Sequence, residues 1–219
     1  MDSTQKNNPD NIIETGRLTL RPLKMSDLEN MIATIMSDPD VMHWLPYSHA
    51  TKTPEGQRAV AQGYLDDFIK PWRSEGYGIW AICLRKGNTG NRGGFIGYCG
   101  FLPGQLDGEG PELAYALGQS YWGKGFVTEA AKACLEWLFS RTDIERAHAV
   151  TDHDNYGSQQ VMKKIGMRHT KGVDLYDSVA KGNGLLPFFY HFPVNKMVKG
   201  GAHRTSISLI GKRNADKLV

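Results

Sequence analysis

This 219-residue sequence predicts a mixed α/β fold: a mostly antiparallel sheet with helices on both faces. Three observations carry the prediction. Short alternating or wholly apolar runs recur along the chain, which is the pattern of strands. Three such runs, 78–84, 95–101 and 112–117, follow one another with no helix-length segment between them, so they read as antiparallel neighbours. A helix-forming run at 128–139 then separates the third from a strand at 147–151, which makes a βαβ unit and a mixed sheet.

Each element has a local cause. Residues 1–11 are polar and are expected to be disordered. Residues 17–23 alternate polar and apolar, as a half-buried strand does. Ser26 or Asp27 can cap a helix reaching about Met36, and Asp38-Pro39-Asp40 stops it. Residues 41–52, with Trp44, Pro46, Tyr47 and His49, read as an aromatic loop. Thr53-Pro54-Glu55 offers a cap and a first-turn proline for a second helix, which ends before Pro71. The turn-rich segment 86–94 joins the first two strands of the run of three. In the helix from Thr128, residues Ala131, Cys134, Leu135 and Leu138 share one face. Ser158–Ile165 is a short helix halted by Gly166; strands follow at 167–176 and 205–210. The segment 177–203 between them, with Phe188–Phe192 flanked by prolines, reads as a loop. The length suits a single domain over 12–212, with a tail at 213–219.

Composition excludes several classes. A net charge of +3 without a concentrated Lys/Arg face argues against a nucleic-acid binder, though it suits an anionic small ligand. The three cysteines, Cys83, Cys99 and Cys134, lack metal-ligand spacing and sit among apolar residues. They read as buried free thiols, and no metal is expected. A reducing, cytoplasmic setting follows from that usage. Neither a signal-peptide core nor a run of about 18 apolar residues is present.

The densest functional signal is Leu117-Gly118-Gln119-Ser120-Tyr121-Trp122-Gly123-Lys124-Gly125-Phe126-Val127. A strand runs into two glycines spaced one apart, and a helix follows at once. Backbone N–H groups at such a junction, beside the positive end of a helix, suit a phosphate. Gly123 and Gly125 let the backbone approach a ligand with no Cβ in the way. A lone G-x-G is by itself more often only a turn.

Four stretches in order turn this into a resemblance. Residues 14–22 (Glu-Thr-Gly-Arg-Leu-Thr-Leu-Arg-Pro), 112–117 (Glu-Leu-Ala-Tyr-Ala-Leu), 121–130 and Asn155-Tyr156-Gly157-Ser158 through Gly166-Met167 resemble the GNAT-superfamily acyltransferases, and within them the RimJ/RimL-like branch. The resemblance covers about residues 12–176. It implies the GNAT fold, with the sheet splayed at the cofactor site, and acetyl-CoA as donor with CoA as product. It also implies an acetyl transfer to a primary amine of a small molecule or a protein N-terminus by direct attack in a ternary complex. The family's pyrophosphate motif, Gln/Arg-x-x-Gly-x-Gly/Ala, is represented here by Trp122, Gly123, Lys124, Gly125, Phe126 and Val127. Trp122 is typical of the branch, whereas Val127 stands in place of a small residue. The resemblance adds the Leu117 backbone and Asn155 as pantetheine contacts.

Amine attack on a thioester needs a base for the amine, a donor for the oxyanion and an acid for the leaving thiolate. Glu112, at the start of the central strand, is the first candidate for the base, through water; a strand-end glutamate facing solvent is the competing reading. Asp152, His153 and Asp154 form an alternative cluster. Many members of the family carry a tyrosine acid at the position of Met162, which cannot donate. Ser158 is the remaining hydroxyl there, and the resemblance to the RimL type implies that it hydrogen-bonds the thiolate, against a reading as an ordinary first-turn serine. Asn155 serves equally as a helix N-cap. Lys124 is placed for phosphate, whereas Lys163 and Lys164 read better as a solvated face. Trp44, Tyr77, Trp80 and the Phe188–Phe192 cluster are candidates to wall an acceptor pocket, core packing being the stronger reading for Tyr77 and Trp80. The apolar stretch 185–192 reads as a lid or an interface, which would suit a homodimer. A non-catalytic acyl-CoA-binding module is the alternative function. A different nucleotide site is weaker, because no complete G-x-x-x-x-G-K-[ST] or G-x-G-x-x-G exists.

Overall fold

A computed structural model describes residues 11–85, 94–104, 110–172 and 188–193. Strands β1 (Ile13–Glu14), β2 (Leu18–Pro22), β3 (Ile79–Leu84), β4 (Phe95–Leu102), β5 (Glu112–Leu117), β6 (Arg146–Thr151), β7 (Arg168–Gly172) and β8 (Phe188–Pro193) form one sheet in the order β1-β2-β3-β4-β5-β6-β8-β7. Among the described strands only β5 and β6 run parallel; every other neighbouring pair is antiparallel. The helices are α1 (Leu28–Met31), α2 (Pro39–Met42), α3 (Pro54–Ile69), α4 (Pro71–Ser74), α5 (Phe126–Arg141) and α6 (Tyr156–Lys164).

The pleat sends alternate side chains to opposite faces, and two cores result. On one face Leu18, Leu20, Trp80, Ile82, Leu113, Leu117, Ala147 and Ala149 pack against Phe126, Ala130, Cys134, Leu135 and Leu138 of α5 and Met162 of α6. On the other, Ile79, Ala81, Tyr98 and Ala116 pack against Met31, Ile35, Val41, Met42, Ala61, Leu65 and Phe68 of the α1–α3 layer. The β5–α5–β6 crossover supplies the parallel pair.

Several elements differ from the sequence expectation. Asp27 does not cap the first helix with its side chain. Its carboxylate is buried and takes two hydrogen bonds from the Arg21 guanidinium (2.6 and 2.8 Å) and one from the Lys24 N–H. The helix continues from α1 as a π-helical turn over Ile32–Met36. Residues 41–52 are not a loop throughout: Asp38 caps α2, which buries Val41 and Met42, and Ser48–Lys52 is a 3₁₀ turn. Helix α5 starts two residues before Thr128, because Gly125 in the left-handed region serves as its N-cap. Phe188–Pro193, read as a loop, is strand β8, inserted between β6 and β7. The expected disorder of 1–11, the tail at 213–219 and the strand at 205–210 fall, Asn11 apart, outside the described residues.

Candidate active site

The two edges of β5 are unlike. Against β4 it pairs at every residue, from Gly97↔Leu117 to Leu102↔Glu112. Against β6 the register holds at a single position, Glu112↔His148, where the His148 N–H also donates to the Pro111 carbonyl (3.0 Å). The two strands therefore part from that point, and the gap widens toward the carboxyl ends, Leu117 and Thr151. The Gly118 N–H donates to the Ile96 carbonyl (3.0 Å), so antiparallel alternation turns the Leu117 and Tyr115 backbone groups away from β4 and into the gap.

At the mouth of the gap lies the glycine loop. Gly123 and Gly125 adopt φ of +72° and +77°, conformations that L side chains rarely take. A Cβ at Gly123 would meet nothing within 4 Å, so its surroundings are open to a ligand. Gly125, the N-cap of α5, gives no side chain to the first-turn N–H groups of the helix. Backbone N–H groups at a glycine-bearing helix start of this kind suit an anion. The Val127 side chain is partly buried and packs against the core that α5 shares with the sheet. The Phe126 side chain is buried in the same core. The Trp122 indole N–H donates to the Leu117 carbonyl (2.8 Å), tying the loop back to the end of β5 and occupying that carbonyl. Lys124 Nζ donates to the Ser120 carbonyl (2.8 Å).

The loop is also held from the turn between β1 and β2, which the sequence alone did not reveal. Arg17 Nε donates to Glu129 Oε2 (2.7 Å), and the Arg17 N–H (3.0 Å) and Thr15 hydroxyl (2.6 Å) donate to Glu129 Oε1. Arg17 Nη1 donates to the Lys124 carbonyl (2.9 Å), and the guanidinium lies 4.4 Å from the Phe126 ring centroid. Burial pushes the Glu129 carboxyl up, but the bonds from Thr15 and Arg17 outweigh it and leave the group below its ordinary value.

Inside the gap the pleat sorts the chemistry. Leu113, Tyr115 and Leu117 face α5 and α6, whereas Ala114 and Ala116 face the α1–α3 layer, and Glu112 has the same parity as these two. Glu112 is buried at the apex, its Oε2 3.7 Å from His148 Nε2, so the solvent-facing reading does not hold. Asp152 is raised by burial, with Asp154 adding to the shift and His43 opposing it. This places the carboxyl near the His43–Trp44 pair, whose rings meet edge to face at 4.6 Å. His153 pairs with Asp154 at the surface (3.0 Å).

On the opposite face, Asn155 Oδ1 accepts the Ser158 N–H (3.0 Å) as the N-cap of α6. The Tyr115 hydroxyl lies 2.7 Å from Ser158 Oγ and 3.2 Å from the Ser158 carbonyl. Met162 is buried in the core one turn later. Tyr77 and Trp80 are corrected as acceptor contacts. Tyr77 is buried, and Trp80, fully buried, stacks edge to face on Trp72 and Trp137 while its N–H donates to the Asn11 carbonyl (2.7 Å). Among the described residues no group of His, Cys, Asp and Glu is arranged to hold a metal, and no helix is long and apolar enough to cross a membrane.

A split parallel pair with an anion cradle at its mouth defines an acyl-CoA type of transferase fold, and comparison with known proteins agrees. The acetyltransferase (GNAT) domain model matches residues 17–168, so the chain belongs to that family and is an acetyltransferase. It is 31% identical over 157 residues to the uncharacterized N-acetyltransferase YjdG of Bacillus subtilis, covering 71% of this chain and 88% of that one. It is 29% identical over 160 residues to the uncharacterized protein YkkB of the same organism, covering 73% and 86%. Among solved structures it is similar in fold to RimL, a ribosomal L7/L12 alpha-N-protein acetyltransferase in complex with coenzyme A (TM-score 0.66, 18% identity, 84% and 98% covered). An acetyltransferase of Agrobacterium tumefaciens is also similar (TM-score 0.62, 24% identity, 83% and 93% covered). RimL is thus among the proteins that share its fold.

Proposed function

We propose that this chain transfers the acetyl group of acetyl-CoA to a primary amine, on a small molecule or a protein N-terminus, by direct attack in a ternary complex. The split between β5 and β6 carries the reading, because it joins an anion cradle to a buried carboxylate through one opening. The N–H groups of Gly123 to Val127 hold the pyrophosphate, with Lys124 beside it. The Leu117 N–H and the Asn155 amide hold the pantetheine arm. Acetyl-CoA brings the activated acyl carbon and a thiol leaving group. Glu112 receives the amine's proton through water, and Ser158 donates to the departing sulfur. Trp44 walls the acceptor side. That RimL acts on a protein α-amino group keeps N-terminal amines among the acceptors. The single domain over 12–212 and the cytoplasmic setting belong to the same reading, the latter because Cys83, Cys99 and Cys134 are free thiols.

Calorimetry with acetyl-CoA, followed by a thiol-release assay over a panel of small amines and peptides, tests it. Micromolar binding and amine-dependent CoA release are expected. Binding without release for any amine would favour the second reading, a non-catalytic acyl-CoA module, for which the buried Met162 speaks. Absence of binding would overturn both.

A further inference from the structure

Ser158 is a weak acid to set against a thiolate. A serine hydroxyl does not give up its proton in the range where a thiol, of reference pKa about 8.5, or a phenol, about 10, does so. In this chain a phenol stands directly behind it. The Tyr115 side chain crosses from β5 to the first turn of α6, where its hydroxyl lies 2.7 Å from Ser158 Oγ and 3.2 Å from the Ser158 carbonyl. One O–H proton can serve only one of them at a time. When Tyr115 donates to the carbonyl, Ser158 must donate to the phenol oxygen and turns only lone pairs to a third group. When Tyr115 donates to Oγ, the Ser158 proton is released toward that third group. The Ser158 backbone is fixed meanwhile by its N–H on Asn155 Oδ1 (3.0 Å).

We propose that Tyr115 is a positioning residue for the leaving thiol, which aims the Ser158 proton at sulfur and restores it from the phenol; the inference rests on the acetyl-CoA reading above. The amine nitrogen bonds to the acyl carbon, and the carbon–sulfur bond breaks with its electron pair on sulfur. Ser158 gives its proton to sulfur as Tyr115 gives its own to Ser158 Oγ. The phenolate recovers a proton from water, and the proton lost by the amine passes through water to Glu112. The phenol that Met162 does not supply from α6 comes instead from the strand across the gap.

The test titrates CoA, isotope-labelled at the carbon beside its thiol, on the full chain by NMR. The bound thiol should ionise about one pH unit lower on the wild type than on Tyr115→Phe, since the donor pair favours the thiolate. Ser158→Ala should move it at least as far, and the double variant no further than Ser158→Ala. Tyr115→Phe keeps the ring and its packing, so CoA affinity should stay within about threefold, while kcat with any accepted amine falls about tenfold or more. If Tyr115→Phe binds CoA and its thiol titrates as on the wild type, the role of Tyr115 is overturned and the cofactor reading stands. If the wild type does not bind CoA, both fall.

Discussion

Strand β5 is held in opposite ways along its two edges, and the contrast accounts for where the site lies. Its β4 edge is laddered along the whole strand, and β6 is laddered in the same way to β8, from Arg146↔Pro193 to Thr151↔Phe188. Between these two rigid ladders β5 and β6 meet only at Glu112↔His148. A ladder satisfies backbone groups and stabilises the fold, whereas a split leaves N–H groups facing a gap and needs support from outside. The support is visible: Trp122 ties down the Leu117 carbonyl, and Arg17 with Thr15 and Glu129 fastens the glycine loop to the turn ahead of β2. On the proposed function, stability and activity are carried by opposite edges of one strand, and substitutions can separate them.

The largest effect is expected on the laddered side. Trp80→Ala removes a fully buried indole from the α5 core and should cost about 3–5 kcal/mol of stability in denaturant unfolding. A loss under about 1 kcal/mol would mean that this core is not what holds the sheet. On the split side Gly125→Glu puts a carboxylate and a strained φ of +77° at the anion cradle. Acetyl-CoA affinity should fall about 100-fold or more by calorimetry, with the unfolding midpoint moving far less than for Trp80→Ala. Unchanged affinity would remove the pyrophosphate from this loop. Glu112→Gln should lower kcat at neutral pH by about 10²-fold while leaving acetyl-CoA affinity near wild type; an unaltered kcat would move the base to the Asp152 side.

The smallest effect concerns the tie between the edges. Arg17→Ala should weaken acetyl-CoA binding about tenfold with little change in kcat, because it loosens the loop without touching the reacting atoms. The Glu129 carboxyl is lowered in the fold from its ordinary 4.5, so its contribution is present above that value and lost as pH falls through the folded one. The melting-temperature gap between wild type and Glu129→Gln should therefore be open at neutral pH and close in acid below about pH 4.5. A gap that persists there would show that the clamp does not depend on the charge.

Much of this was legible in the chain. The αL glycines, the Asn155 cap, the Thr53 cap of α3 and the apolar stripe of α5 are local, set by propensity and period within a few residues. Strand β8 was not legible, because prolines at 187 and 193 resemble loop boundaries and its pairing with β6 joins residues far apart in sequence. Trp44, Tyr77 and Trp80 look alike as aromatics; only the pleat decides that Trp80 is buried whereas Trp44 stays at the half-buried rim beside His43.

Arg17 and Glu129 stood in two recognised motifs with no local reason to connect them, and Tyr115 read only as one residue of an apolar strand. The sequence by itself determined the loop that can hold a pyrophosphate, since that depends on backbone freedom at Gly123 and Gly125 and on a helix starting at once. The resemblance implied a splayed sheet, but tertiary structure alone decided that the split opens between β5 and β6 from Glu112, that Arg17 grips the loop, and that Tyr115 meets Ser158 across the gap. Those contacts depend on which residues face each other once distant strands and helices are packed, and no spacing along the chain encodes that.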